Sequence, residues 1–143
     1  MTDSSLLSRW RAWAPYFLGI LRIVAAFLFM QHGTVKLFAF PGPMMPGAST
    51  AAVWSLPWIA GVLELVGGAF LLVGWITRPV AFLLSGEMAV AYFMAHAPRG
   101  FWPVLNQGDL AVIFAFVWLY FSAAGPGAWS IDAMRRPRPQ RPA

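Results

Sequence analysis

The sequence contains no cysteine. That absence excludes disulfides, thiolate redox chemistry, iron–sulfur clusters and cysteine-ligated zinc within this chain, so any redox role requires a borrowed cofactor or a partner. Charged residues are also scarce: they make up 10% of the 143 residues, whereas 59% are hydrophobic. A water-soluble domain of this length lacks the polar surface to cover so many apolar side chains. The composition therefore indicates a protein whose solvent is a lipid bilayer.

The formal net charge of +5 does not indicate a nucleic-acid partner. Four of the ten basic residues lie in the last nine positions, namely Arg135, Arg136, Arg138 and Arg141. Prolines interrupt this run, which predicts a disordered tail attracted to anionic lipid headgroups. We therefore expect the lipid bilayer as a partner and no nucleic acid.

Four apolar stretches are candidates for transmembrane helices, because about 20 residues rising about 1.5 Å each cross a hydrocarbon core of about 30 Å. They cover residues 16–38, 57–76, 80–97 and 109–124. We predict an all-α fold, a four-helix bundle integral to the membrane. It has an interfacial N-terminus (1–15), a transmembrane domain (16–124) and a basic tail (125–143). Residues 48–54 are expected to form a short interfacial helix, and the tryptophans, Trp118 among them, mostly to mark the two membrane interfaces.

The distribution of positive charge predicts the orientation of this bundle. With four spans, both termini and the turn at residues 77–79 lie on one side of the membrane. That side carries seven arginines, the four of the tail plus Arg9, Arg11 and Arg78, against Arg99 alone in the opposite loops. The positive-inside rule then places both termini in the cytoplasm.

Several short motifs are spread over nearly the whole chain. Arg22, Gly33 and Lys36 lie in the first predicted helix, and Gly74 and Thr77-Arg78 follow the second. Residues 61–68 read Gly-Val-Leu-Glu-Leu-Val-Gly-Gly, and residues 125–132 read Gly-Pro-Gly-Ala-Trp-Ser-Ile-Asp. Together they resemble the DoxX family.

The resemblance implies a four-helix, multi-pass protein of the bacterial inner membrane. The family is a broad group, described as candidate oxidoreductases or as membrane subunits beside redox enzymes. Its members have been linked to quinone-coupled thiosulfate oxidation, to catechol or quinone detoxification and to oxidative-stress complexes. Fold-level resemblance of this kind does not fix a reaction.

Ionisable residues inside the predicted spans are the candidate functional residues, because a charge at mid-bilayer costs at least about 2.5 kcal/mol. Glu64, His32 and Lys36 are the predicted catalytic group, since a titratable imidazole there meets a carboxylate and an ammonium. The predicted buried polar core also contains Arg22, Glu87 and Asp109. No metal site is predicted.

Counting residues from the predicted helix ends gives the depth of each group. Arg22 and Glu87 both come out about 10 Å from the cytoplasmic edge, so they are expected to pair. His32 and Glu64 come out about 10 Å below the outer edge, with Lys36 and Asp109 nearer the exit. This predicts a polar pocket that opens outward.

Two functions compete at this point. The first is a membrane redox component that binds a quinone-like substrate, with Glu64, His32 and Lys36 handling protons or polarising a ring oxygen. Alternatively it is a non-enzymatic subunit or scaffold, a homo-oligomer or the partner of a redox protein, that docks through its glycine-rich faces (Gly61, Gly67, Gly68 and Gly74). A small-molecule transporter and haem ligation by His32 and His96 are further alternatives.

Overall fold

The computed structural model describes residues 3–43, 47 and 49–135, and within these residues every regular element is helical. The predicted basic tail beyond Arg135 lies outside the described residues. Three helices are long and apolar enough to cross a membrane: Leu7–Phe38, Leu56–Val73 and Thr77–Arg99. Of the most apolar 18-residue stretch of each helix, in the same order, 28%, 22% and 22% is buried inside the fold. Most of this apolar surface therefore requires lipid. The protein is an α-helical membrane protein.

The first helix, α1, runs from Asp3 to Phe38 and is longer than predicted. Residues before Tyr16, expected to be a separate interfacial segment, continue the same helix through Pro15. Pro15 has no N–H to donate to the carbonyl four residues earlier, so the helix lacks one backbone hydrogen bond there. The carbonyl of Pro15 itself accepts a bond from the Ala128 N–H at 2.7 Å. At about 1.5 Å per residue, α1 is about 54 Å long and exceeds the thickness of a bilayer core.

The second helix, α2, spans Leu56–Val73. It begins where the Ser55 hydroxyl accepts a hydrogen bond from the Trp58 N–H at 3.3 Å, with Pro57 in the first turn. It ends at Gly74, which adopts a left-handed conformation with φ 67°, so the helix stops before the predicted end at residue 76. The loop before it, residues 49–55, is not helical, so the predicted interfacial helix is wrong for these residues.

The third helix, α3, spans Thr77–Ala91 and continues as a π-helical turn (Tyr92–His96) and a 3₁₀ turn (Ala97–Arg99). A short helix, α4 (Pro103–Asn106), precedes α5, which occupies Asp109–Ala124 as predicted. With 16 residues, α5 is shorter than the three candidate spans. The last described helix, α6, is the single turn Ile131–Met134.

The helices pack as two antiparallel pairs, α1 with α2 and α3 with α5, and α2 also meets α3. Aromatic and aliphatic side chains fill the centre, among them Phe29, Leu71, Leu84, Phe114, Trp118 and Phe121. Trp118 is 0% exposed, so its predicted place at a membrane interface is wrong. It packs edge-on against Phe29, with ring centroids 5.4 Å apart.

Glycines allow α1 and α2 to approach closely. A Cβ at Gly33 would lie 2.7 Å from the carbonyl oxygen of Gly61, and one at Gly68 would lie 2.6 Å from Met30. Gly67 and Gly74 likewise meet side chains of this chain, Leu84 and Ser130. The glycine faces expected to dock a partner are therefore covered by the protein's own helices.

Candidate functional site

The motif residues form two separate clusters, at one end and in the middle of the bundle. The first, which we call the capped end, comprises Arg22, residues 74–78 and residues 125–132. Arg22 is 0% exposed, and its guanidinium donates to the carbonyls of Leu71 and Leu72 at 2.6 Å each. It also reaches the carbonyls of Pro126 and Trp129 at 2.8 Å and of Ala128 at 3.2 Å. Arg22 thus satisfies the open carbonyls at the end of α2 and holds the chain that follows α5.

Two further side chains close helix termini at the capped end. Asp132 accepts hydrogen bonds from the N–H groups of Ile76 (2.9 Å) and Thr77 (2.8 Å), at the start of α3. Its partial burial alone would raise the pKa of Asp132, but these bonds, with Arg135 nearby, outweigh that effect and lower the pKa. Arg78 donates to the carbonyls of Ser122 and Ala123, at the end of α5. The Gly-Pro-Gly to Asp motif therefore has a structural role, which sequence reasoning missed.

The predicted ion pair between Arg22 and Glu87 is wrong. Arg22 lies beside Gly74 at the capped end, whereas Glu87 lies ten residues into α3, about 15 Å further along the bundle. The prediction failed because it placed the start of the third helix too late, which put Glu87 too near the membrane edge. Backbone carbonyls, rather than a carboxylate, satisfy the buried guanidinium.

The second cluster begins with a buried ion pair between α1 and α2. The Lys36 ammonium lies 2.6 Å from Oε1 of Glu64. The Glu64 side chain is 2% exposed and that of Lys36 is 22% exposed, so the lysine reaches inward from the rim of the bundle. Gly61 lies one turn from Glu64 and leaves space for the base of the Lys36 side chain. A Cβ added at Gly61 would lie 3.1 Å from the Cβ of Lys36. Removing either partner would leave a charge without its counterion inside the bundle.

Helix contacts place Glu87 and His32 at the level of Glu64. Gly67 on α2 packs against Leu84 on α3, and one turn further towards the loops both helices present a carboxylate, Glu64 and Glu87. The ring of His32 on α1 lies edge-on to Phe114 on α5, with centroids 6.2 Å apart. The α3–α5 register is fixed by the Ser85 hydroxyl, which donates to the Ala115 carbonyl at 2.8 Å. Since α3 and α5 are antiparallel, Phe114 then stands level with residue 86, beside Glu87.

We call His32, Lys36, Glu64 and Glu87 the polar layer. Both carboxylate oxygens of Glu87 and Oε2 of Glu64 are buried and have no hydrogen-bond partner among the described residues. Glu87 also interacts electrostatically with Glu64 and Lys36. Buried polar atoms are normally paired, so three open acceptors in one layer distinguish it from an ordinary structural ion pair.

Two other predicted residues lie away from the polar layer. Asp109 is exposed in the first turn of α5, where a carboxylate favours the helix dipole, so its predicted place in the buried core is wrong. His96 is in the π-helical turn, with Nδ1 3.1 Å from the Asn106 carbonyl oxygen. It lies nine residues beyond Glu87, about 13 Å along the bundle, so the structure does not bring His96 to His32 as a haem pair.

An aromatic cluster borders the polar layer on the side of the capped end. Phe29 lies 5.1 Å from Phe114 and Phe114 stacks on Trp118 at 5.7 Å, measured between ring centroids. The indole Nε1 of Trp118 is buried and finds no hydrogen-bond partner in the described part of the chain. Sequence reasoning missed this cluster, although its spacing of four residues on α5 places both rings on one helix face.

The helices, their lipid-facing surface and the buried ion pair define an integral membrane protein with ionisable groups at its centre. The chain belongs to the DoxX family, whose model matches residues 17–97, more than half of the chain. That match includes the whole polar layer but ends before α5 and the Gly-Pro-Gly segment.

Three relatives cover most of the chain. It is similar to a Haemophilus influenzae protein described as uncharacterized, with 46% identity over 82% of this chain and 90% of the relative. An uncharacterized membrane protein of Mycobacterium tuberculosis is 27% identical over 78% of this chain and 77% of the relative. The inner membrane protein YqjF of Escherichia coli is 28% identical over 80% of this chain and 88% of the relative. No solved structure matches the chain.

Proposed function

We propose that this DoxX protein is a bacterial inner-membrane component of a redox system, in which the polar layer handles protons for a lipophilic, quinone-class molecule. The observation that carries the proposal is the buried Lys36–Glu64 pair, which keeps one carboxylate oxygen of Glu64 open. Ionisable groups that a membrane protein keeps at mid-bilayer mark functional sites by default, because their insertion is costly.

The polar layer has the groups that a ring oxygen needs. The Lys36 ammonium is a hydrogen-bond donor at the rim of the bundle, and the open oxygen of Glu64 is an acceptor beside it. His32 adds an imidazole against the Phe114 ring. These residues would orient the oxygen of a ring and exchange protons with it. The electrons must come from a bound cofactor or a partner, because the chain contains no cysteine for thiol or iron–sulfur chemistry.

The proposed topology has four spans, with α5 as the fourth, and both termini in the cytoplasm. Arg78 and the arginines near the start of α1 support it, since they lie at the capped end. The polar layer then opens, through Lys36, towards the outer face of the membrane. The 16 residues of α5 are about 24 Å long, so this part of the bundle requires a locally thinner bilayer.

The test is binding of a quinone by the protein purified in mild detergent. Lipophilic molecules that copurify are extracted and identified by mass spectrometry, and a ubiquinone or menaquinone analogue is titrated into the delipidated protein. We expect one quinone site, weakened at least tenfold by Glu64→Gln and by Lys36→Met. Asp109→Asn, which changes an exposed carboxylate, is the matched control and should bind normally. Equal binding by all four proteins would reject the polar layer as the site.

A second candidate is a non-enzymatic membrane subunit that docks a redox enzyme. One observation favours it: the first part of α1 projects past the capped end and exposes large aromatic side chains, including Trp10, Trp13 and Phe17. Copurification of a soluble redox enzyme in fixed stoichiometry, lost on replacing Trp10 and Trp13 by alanine, would support this function. A partnerless protein that binds a quinone would contradict it.

A further inference from the structure

We propose that the polar layer is a proton-binding site in which Glu64 and Glu87 together hold one exchangeable proton. This inference deepens the proposed function by assigning a role to Glu87, which sequence reasoning treated as a structural counterion. It concerns the resting protein and requires neither a quinone nor a partner.

The charges in the polar layer do not balance when all its carboxylates are ionised. Two carboxylates stand at one level of the bundle, but among the described residues Lys36 is the one cation in ion-pair contact there, and it contacts Glu64. Within the part of the chain that the structure describes, Glu87 has no hydrogen-bond partner at either oxygen. Two carboxylates and one ammonium leave one negative charge uncompensated inside the membrane. A single bound proton removes that charge.

The helices around Glu87 differ in the ionisable groups that they bring to it. From α2 comes Glu64, and from α1 come Lys36 and His32. From α5, residues 110–117 are all apolar, so this helix supplies no charge at that level. Beyond the end of α3, the nearest ionisable side chains towards the loops are Tyr92, whose hydroxyl donates to the Phe101 carbonyl at 3.5 Å, and His96, whose Nδ1 lies 3.1 Å from the Asn106 carbonyl oxygen.

His32 is the competing source of a second positive charge. Its ring lies edge-on to Phe114, and no ion pair joins it to Glu64 or Glu87 within the described part of the chain. Lys36 and His32 are also neighbours on α1, one turn apart, so charging both would place two cations side by side. A proton on the carboxylate pair balances the layer without that repulsion.

A proton is the ligand that the polar layer binds in the resting protein. Two grooves on the described surface, lined by residues such as Trp13, Phe17 and Trp129, lie near the capped end. A proton needs no cavity and binds directly to the open oxygens of Glu64 and Glu87. The Lys36 side chain, 22% exposed, brings the polar layer to the surface of the bundle, where the proton would exchange.

Infrared spectroscopy of the purified full-length protein in lipid nanodiscs tests the inference, because a protonated carboxyl group has its own carbonyl stretch. The chain has only five acidic side chains, so the background is small. At neutral pH we expect a band equivalent to one protonated carboxyl per chain, shifted in D₂O because its proton exchanges. Glu87→Gln should abolish the band, and Lys36→Met should double it, since both carboxyls are then neutral.

Two controls separate this inference from its competitors. Asp109→Asn should leave the band unchanged, and so should His32→Phe. If His32 supplied the second positive charge, the band would be absent from the natural protein and would appear in His32→Phe. Absence of the band at neutral pH, its survival in Glu87→Gln, or its failure to grow in Lys36→Met would overturn the proposal. The spectrum reads protonation and not quinone binding, so either proposal can fail while the other stands.

Discussion

Asp132 accepts a hydrogen bond from the backbone N–H of Thr77 at 2.8 Å, and so closes the start of α3 from a position 55 residues further along the chain. The residue before Thr77, Ile76, has a left-handed φ of 44° and makes no side-chain cap of its own. A helix that begins after such a residue leaves several N–H groups open. The carboxylate from the Gly-Pro-Gly segment satisfies two of them.

Replacing Asp132 should therefore destabilise the capped end. We expect Asp132→Ala to lower the free energy of unfolding by about 1 kcal/mol, the usual value of a helix N-cap. Asp132→Asn keeps an acceptor oxygen and should cost less than half as much. Thermal unfolding in detergent, followed by circular dichroism, measures both variants. Equal stability of Asp132→Ala and the natural protein would show that the contact contributes nothing.

The same contact predicts a dependence on pH. Because hydrogen bonds to its carboxylate lower the pKa of Asp132 in the folded protein, its stabilisation is present above the unfolded pKa of about 3.9. It is lost as the pH falls through the folded pKa, because the carboxylate then gains a proton. The difference in unfolding temperature between the natural protein and Asp132→Asn should therefore shrink below about pH 4. A difference that widens in acid would have the wrong sign.

Replacing Arg22 should destabilise the capped end, even when the positive charge is kept. Its guanidinium bonds to five carbonyls from α2 and the Gly-Pro-Gly segment, an arrangement that the three donors of a lysine cannot reproduce. We expect Arg22→Lys to cost about 2 kcal/mol of stability and Arg22→Met about 3 kcal/mol or more, since buried carbonyls lose their donors. Arg11→Met, at an exposed position, is the control and should change stability little. Limited proteolysis near residues 125–130 would report the opening directly.

The close packing of α1 against α2 should not tolerate a side chain at Gly33. A Cβ at Gly33 would lie 2.7 Å from the Gly61 carbonyl oxygen and 2.8 Å from the Leu65 nitrogen, both backbone atoms that cannot move aside alone. Gly33→Ala should push the two helices apart and cost about 1–3 kcal/mol. Gly86→Ala is the matched control, because nothing lies within 4 Å of a Cβ there. It should be neutral or stabilise α3 by up to about 1 kcal/mol. Similar destabilisation by both would mean that α1 and α2 do not pack as described.

Lys36 and Glu64 should depend on each other for stability, because they form an ion pair inside the bundle. Lys36→Met takes the cation away from Glu64, which must then bind a proton, and Glu64→Gln takes the ion-pair partner away from Lys36, so each single change should destabilise the fold, by up to about 3 kcal/mol. The double variant removes both charges and should recover most of that loss. A double-mutant cycle of unfolding free energies measures the coupling. Additive effects would show that the two groups do not interact in the membrane.

The fold was largely predictable because membrane helices are dominated by one physical requirement. Every backbone group in lipid must be paired within a helix, so apolar length alone located α2, α3 and α5. Helix ends were harder to predict. The start of α3 depends on Asp132, a distant residue that no local pattern connects to Thr77. The early start of α1 was missed because its polar and aromatic residues are equally suited to a headgroup region.

The polar layer was predictable only in part. Spacing placed Glu64 on a glycine-lined face and so indicated that it points into the bundle, where it meets Lys36. Glu87 was assigned to Arg22 because depth was counted from a boundary three residues too late. Arg22 itself was expected to need an acid, whereas backbone carbonyls satisfy it. Side-chain to backbone partners of this kind depend on the relative placement of helices, which a single sequence does not contain.

The measurement that tests the proposed function most directly is photolabelling of the protein in nanodiscs with a photoreactive quinone analogue, with the labelled residues mapped by mass spectrometry. We predict labelling around residues 32–36 of α1 and 61–68 of α2, competed by unmodified quinone and lost in Glu64→Gln. Labelling confined to the exposed aromatic residues at the start of α1, or unaffected by Glu64→Gln, would contradict a quinone site at the polar layer.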